Sequence, residues 1–132
     1  MQAEEFIALG IDWLAPAFGN IHGAYGPEGP QLEFDRLERI HKAVGDRVRL
    51  VLHGAHEKYF QEELLQKCIK LGMSKSNING PVAAAWLEVQ GQLTGKASLT
   101  KIMEEQTKAM QAVVEYHCDY LLSTGKAGDV KF

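Results

Sequence analysis

Residues 47–53 read RVRLVLH, and this short run decides the fold. It is rich in Val and Leu, too short for a typical helix, and bounded by Gly45 and Gly54, so it reads as a strand with Val51 and His53 on one face. Upstream, Phe34, Leu37, Ile40 and Val44 recur at helical spacing with charges between them, and Gly45 closes that helix. Downstream, Phe60, Leu64, Leu65, Cys68 and Ile69 mark a second amphipathic helix ending at Gly72. The strand is thus flanked by helices on both sides, which is the signature of parallel strands joined by right-handed crossovers.

The alternation continues in both directions. Residues 2–9 have helical composition and stop at Gly10. The apolar run from Ile11 to Phe18 predicts a buried strand, with Pro16 placed at its end because proline lacks a ladder donor. Residues 74–79 predict another strand, whose alternation sets Asn77 and Asn79 on one face. Pro81 suits the first turn of a helix running through Ala84 and Leu87. A break at Gly91–Gly95 then precedes a long helix from Ser98, its N-cap, to about Leu122. The expected class is α/β, and the 132 residues suffice for a single domain: βα units over 1–96 and a C-terminal helical extension over 97–132. Three parallel strands leave two unpaired edges, whereas a closed barrel of this kind takes about 250 residues.

Composition narrows the function. The chain is 45% hydrophobic and 23% charged, as in a folded protein. A net charge of -3 and scattered Lys and Arg argue against a nucleic-acid partner. No apolar run approaches the ~20 residues that span a bilayer, and the opening MQAEEF lacks a signal-peptide pattern, so a membrane partner is not expected. Cys68 and Cys118 have no disulfide or zinc-knuckle spacing, and a reducing, cytoplasmic setting is the simpler expectation.

The chemistry gathers after the carboxyl ends of the strands, the face where α/β proteins bind ligands. His22 lies in the loop after the first strand, His53 ends the second, and Asn77 with Asn79 ends the third. Both histidines precede glycine, which sets an imidazole beside backbone free enough to approach an anion. Imidazole is the commonest neutral metal ligand, and a catalytic zinc usually takes three protein ligands and keeps a position open. His56 is a weaker third candidate, since a nearby loop position need not point inward. His41 and His117, inside helices, read as structural or surface residues, Trp13 and Trp86 as core or interface residues. Asparagine also ends strands and starts turns, so Asn77 and Asn79 carry no chemistry by themselves.

Residues 10–40, GIDWLAPAFGNIHGAYGPEGPQLEFDRLERI, closely resemble the segment of class II fructose-bisphosphate aldolases and their tagatose-bisphosphate relatives that bears one zinc histidine. LVLHGA at 50–55 resembles the segment with the next, and CIKLGMSKSNIN at 68–79 the last barrel strand. The resemblance implies a partial (β/α)8 TIM barrel comprising strands 6 to 8, with His22 and His53 as Zn2+ ligands. It implies that Gly23 and Gly54 cradle a substrate phosphate and that Asn77 holds the enediolate of dihydroxyacetone phosphate, with Asn79 as a further substrate contact. The implied reaction is reversible aldol cleavage of fructose 1,6-bisphosphate, with zinc as the Lewis acid. A homo-oligomer is also expected.

The chain departs from that pattern in several places. Relatives usually read HGGSG where this chain has His53-Gly54-Ala55-His56-Glu57, without the phosphate-binding serine. Gly80 replaces a hydroxyl residue, and Gly26 stands where a lysine often follows the HGAY-type motif. The family's earlier zinc histidine, catalytic aspartate and mobile-loop glutamate cannot be located, and the chain starts within what resembles the helix before strand six. Three readings follow: the carboxyl-terminal part of an aldolase, inactive alone; a self-associating half-barrel with residual metal or phosphate affinity; or an unrelated small α/β phosphate-binding protein.

Overall fold

The computed structural model describes residues 2–23, 25–55 and 61–130. Its elements follow the predicted order: α1 (Gln2–Ile7), β1 (Trp13–Leu14), α2 (Phe34–Val44), β2 (Arg49–Leu52), α3 (Glu62–Lys70), β3 (Met73–Ser76), α4 (Gly80–Leu93), α5 (Leu99–Tyr120) and a closing 3-10 turn at Ala127–Asp129. The chain is therefore α/β, and it forms two units, Met1–Asn77 and Ile78–Phe132.

The first unit holds a parallel sheet in the order β1-β2-β3. β2 lies in the middle, and Leu50, Val51 and Leu52 are all buried. A central parallel strand covered on both faces must be apolar on both, which is why RVRLVLH lacks strict alternation. Leu37 and Val44 of α2, Leu65 and Cys68 of α3, Met73 of β3, and Phe18 belong to this core. Burying each large aliphatic side chain stabilises the fold by roughly 1.5–3 kcal/mol.

The strands are shorter than the sequence predicts. β1 keeps only Trp13–Leu14 of the expected Ile11–Phe18, because its single neighbour is β2 and Pro16 lacks a ladder donor. Trp13 is 54% exposed on this edge and Trp86 39% exposed on α4, so neither is a core residue. β3 ends at Ser76, and Asn79 is the N-cap position of α4 rather than a strand residue. The expected break at Gly91 begins later, since α4 runs through Gly91 to Leu93. Gly45 follows α2 in right-handed helical geometry, so its need for glycine is spatial. A Cβ there would lie 2.3 Å from His41 Cδ2, and one on Gly72 would lie 2.2 Å from the same atom. The exposed His41 ring thus lies against both glycines.

The second unit is the helix pair α4 and α5. Ser98 caps α5, its hydroxyl accepting from the Lys101 amide at 3.3 Å. Buried Gln106 joins the two helices by donating to the Trp86 carbonyl (3.3 Å) and to Gln90 Oε1 (2.8 Å). Buried His117 bonds through Nδ1 to the Val113 carbonyl at 2.7 Å, one turn back in its own helix. On the exposed face Glu105 pairs with Lys101 (2.8 Å) and Lys108 (3.0 Å), which hold its carboxyl down at about 2. Among the described residues, no helix is long and apolar enough to cross a membrane.

Candidate functional site

Three of the side chains singled out in the sequence meet at the carboxyl end of the sheet. His22 Nε2 lies 3.1 Å from His53 Nδ1, with the rings edge to face at 5.2 Å between centroids. On the other side of the same ring, Asn77 Nδ2 lies 2.9 Å from His53 Nε2. His53 is half-buried, while His22 and Asn77 are exposed, so the cluster is open to solutes.

The sheet register produces this meeting. Leu50 pairs with Met73, but Val51 pairs with Lys75 and Leu52 with Ser76, so β3 carries one extra residue, Ser74, at a bulge. Without that insertion Ser76, not Asn77, would stand beside His53. The ladder continues one step past the strand, the Asn77 amide donating to the Leu52 carbonyl at 3.2 Å. The bulge also leaves Ser76 Oγ buried with no hydrogen-bond partner among the described residues.

The loop after β1 is held by residues that sequence reasoning did not single out. Asn20 Oδ1 accepts from the Phe18 amide (3.0 Å), while its Nδ2 donates to the His53 carbonyl (3.1 Å). Tyr25 is buried, its hydroxyl accepting from the Ile21 amide at 2.9 Å and donating to the Gly54 carbonyl at 3.2 Å. Burial raises the Tyr25 pKa above its ordinary value, against the lowering effect of the Ile21 amide. Asn20, Ile21 and Tyr25 are thereby stitched to residues 53 and 54, which carries His22 across to His53. The tyrosine of the HGAY run was the available signal: an aromatic hydroxyl amid glycines seldom stays buried without partners.

Both candidate glycines have left-handed backbones, Gly23 at φ +97° and Gly54 at φ +73°. Gly54 is also crowded: a Cβ there would lie 2.1 Å from the Ile21 carbonyl oxygen, whereas among the described residues nothing lies within 4 Å of one at Gly23. Asn79 is exposed at the start of α4, its carbonyl accepting from Ala83, and Gly80 opens that helix. His56 and Glu57 lie outside the described residues. Among the described residues no group of three His, Cys, Asp or Glu side chains could hold a metal.

The histidine pair nevertheless has a spacing that metals use. Two Zn–N bonds of ~2.0–2.1 Å in a tetrahedral site put their nitrogens ~3.3 Å apart. His22 Nε2 and His53 Nδ1, at 3.1 Å, are near that separation.

The sequence profile of the class-II fructose-bisphosphate aldolases matches residues 1–126. The chain belongs to that family. An aldolase homologue of Coccidioides immitis is 52% identical over 126 residues, covering 96% of this chain and 41% of its own length. The fructose-bisphosphate aldolase of Streptococcus pneumoniae is 32% identical over 138 residues, covering 95% of this chain and 46% of its own. A crystal structure of a Coccidioides immitis fructose-1,6-bisphosphate aldolase homologue superposes with a TM-score of 0.90 at 50% identity, over 98% of this chain and 44% of that one. This aldolase-family chain therefore spans under half the length of the relatives it matches.

Proposed function

We propose that this chain is the carboxyl-terminal part of a zinc-dependent ketose-bisphosphate aldolase that cleaves fructose 1,6-bisphosphate to dihydroxyacetone phosphate and glyceraldehyde 3-phosphate, and that it is without turnover alone. On this reading residues 1–132 are one partial TIM-barrel domain, β1 to β3 are barrel strands 6 to 8, and the whole protein works as a cytoplasmic homo-oligomer. The observation that carries the reading is the approach of His22 Nε2 to His53 Nδ1 at 3.1 Å, with Asn77 against the same ring.

In this assignment His22 and His53 hold the metal, which when bound supplies Lewis-acid polarisation of the substrate ketone. The chain's own groups do the positioning. Tyr25 and Asn20 tie the His22 loop to His53 and Gly54, so the two imidazoles keep their spacing without metal. The Asn77 carboxamide stands at the mouth of the sheet, where it can bind a substrate oxygen. The left-handed turns at Gly23 and Gly54 present backbone amides to a phosphate. Among the described residues two histidines pair, and on this reading the remaining zinc ligand and the proton-transfer groups come from the portion of the relatives that this chain does not span.

Zinc titration of the purified chain and its His22→Ala and His53→Ala variants tests the assignment, together with an aldolase assay on fructose 1,6-bisphosphate. Expected are measurable zinc binding weakened by either substitution and no cleavage above background. Equal zinc binding by all three proteins would remove the metal role, and cleavage abolished by His53→Ala would show that the chain is catalytically sufficient.

A second reading, self-association of the half-barrel, is favoured by the first unit's surface. A groove of about 600 Å³ lined by Phe6, Leu14, Pro16 and Ile40 adjoins the edge strand β1, and Phe6 is exposed in it. Sedimentation decides it: a dimer or larger species supports the reading, and a stable monomer counts against it.

A further inference from the structure

Strand β3 sets a cation two residues before Asn77. Lys75 Nζ donates to Asn77 Oδ1, Asn77 Nδ2 meets His53 Nε2 at 2.9 Å, and His53 Nδ1 meets His22 Nε2 at 3.1 Å. Four side chains thus form one line from β3 to the loop after β1, and its polarity is fixed at the lysine end. An ammonium group has donors and no acceptor, so the carboxamide atom facing Lys75 is the oxygen and the one facing His53 is the NH2. The NH2 brings protons, so His53 Nε2 receives it as an acceptor. A neutral His53 ring then carries its own proton on Nδ1, directed at His22.

We propose that Lys75 is a positioning residue: by holding the Asn77 oxygen it aims the Asn77 NH2 at His53 and keeps His53 Nδ1 protonated, so that metal can reach that nitrogen only after the carboxamide turns over. The second half of this inference rests on His22 and His53 being the metal pair. A metal on Nδ1 leaves the ring proton on Nε2, and a ligating histidine normally donates that proton to an oxygen. The carboxamide already against Nε2, that of Asn77, has its oxygen turned the other way in the grip of Lys75. Loading therefore requires a half-turn of the Asn77 carboxamide and release of Lys75, and Lys75 lowers the affinity of the empty site.

The test uses the 15N-labelled, metal-free chain at about pH 8, above the ordinary histidine range. Long-range proton–nitrogen correlation separates a protonated ring nitrogen from a bare one. Wild-type His53 is expected bare at Nε2 and protonated at Nδ1. Lys75→Met is expected to give a mixture of both tautomers, and Lys75→Arg, still a donor-only cation, to keep the wild-type pattern. Zinc titration is expected to show Lys75→Met binding about tenfold more tightly, the scale on which outer-shell partners act on metal affinity.

A wild-type proton on Nε2, or a Lys75→Met tautomer identical to wild type, overturns the aiming role. Equal zinc affinity of wild type and Lys75→Met overturns the effect on loading. If His22→Ala and His53→Ala leave zinc binding unchanged, the metal assignment itself has failed, and the tautomer measurements still decide what Lys75 does to Asn77. Matching backbone amide spectra for the two Lys75 variants establish that the fold is intact.

Discussion

Replacing Gly54 with alanine should damage the site far more than replacing Gly23, although both have left-handed backbones. A left-handed alanine costs roughly 1–2 kcal/mol, and that term is common to the two variants. At Gly54 the added methyl would also lie 2.1 Å from the Ile21 carbonyl oxygen and 3.3 Å from the Tyr25 hydroxyl. Ordinary carbon–oxygen contact needs more than an additional ångström, so Ile21 and Tyr25 must move away from residue 54. That movement breaks the Tyr25–Gly54 hydrogen bond and strains the Ile21–Tyr25 bond, each worth about 0.5–1.5 kcal/mol net. The sum is about 2–5 kcal/mol for Gly54→Ala against about 1–2 kcal/mol for Gly23→Ala. Urea unfolding followed by circular dichroism measures both, and a zinc titration of each folded variant reads the His22–His53 spacing. Equal destabilisation by the two substitutions, or unaltered zinc binding by Gly54→Ala, would refute the claim that close approach of residue 54 to the loop sets the histidine pair.

Other consequences concern single groups. Burial pushes the Cys68 thiol up to about 11, whereas Cys118 is exposed, so a thiol reagent near neutral pH should label Cys118 quickly and Cys68 only on unfolding; fast double labelling of the native chain would contradict the buried α3 face. Glu105 has its carboxyl lowered from 4.5 to about 2 by Lys101 and Lys108, so its helix-stabilising pairs are complete above about pH 4.5 and are lost as pH falls towards 2. Helicity measured by circular dichroism should therefore fall over that window less steeply in Glu105→Gln, which never has the pairs to lose. Ser76→Ala removes a buried hydroxyl that has no partner among the described residues and should be neutral or stabilising by up to about 1 kcal/mol in urea unfolding, while a loss above that would mean the hydroxyl is bonded.

Much of the fold was legible because its signals are local. The stripe of Phe34, Leu37, Ile40 and Val44 places α2 at the observed Phe34–Val44, and an apolar run short enough for a strand marks β2 as a strand. Helical period and strand composition act over a few residues, so they survive without knowledge of the partner. The candidate site was legible in part for the same reason: His22 and His53 each follow a strand, and successive parallel strands deliver their ends to one side. Asn20 and Tyr25 were missed because their partners, the carbonyls of His53 and Gly54, are about 30 residues away and are not encoded by side-chain type.

What the sequence alone determined is the alternation of helices and strands and the set of polar groups at the strand ends. The tertiary structure alone decided which of those groups touch. Alternation within β3 sets Lys75 and Asn77 on one face but says nothing of their phase relative to β2, because register belongs to a pair of strands. The bulge at Ser74 advances β3 by one residue, brings Asn77 rather than Ser76 beside His53, and leaves Asn79 to begin α4.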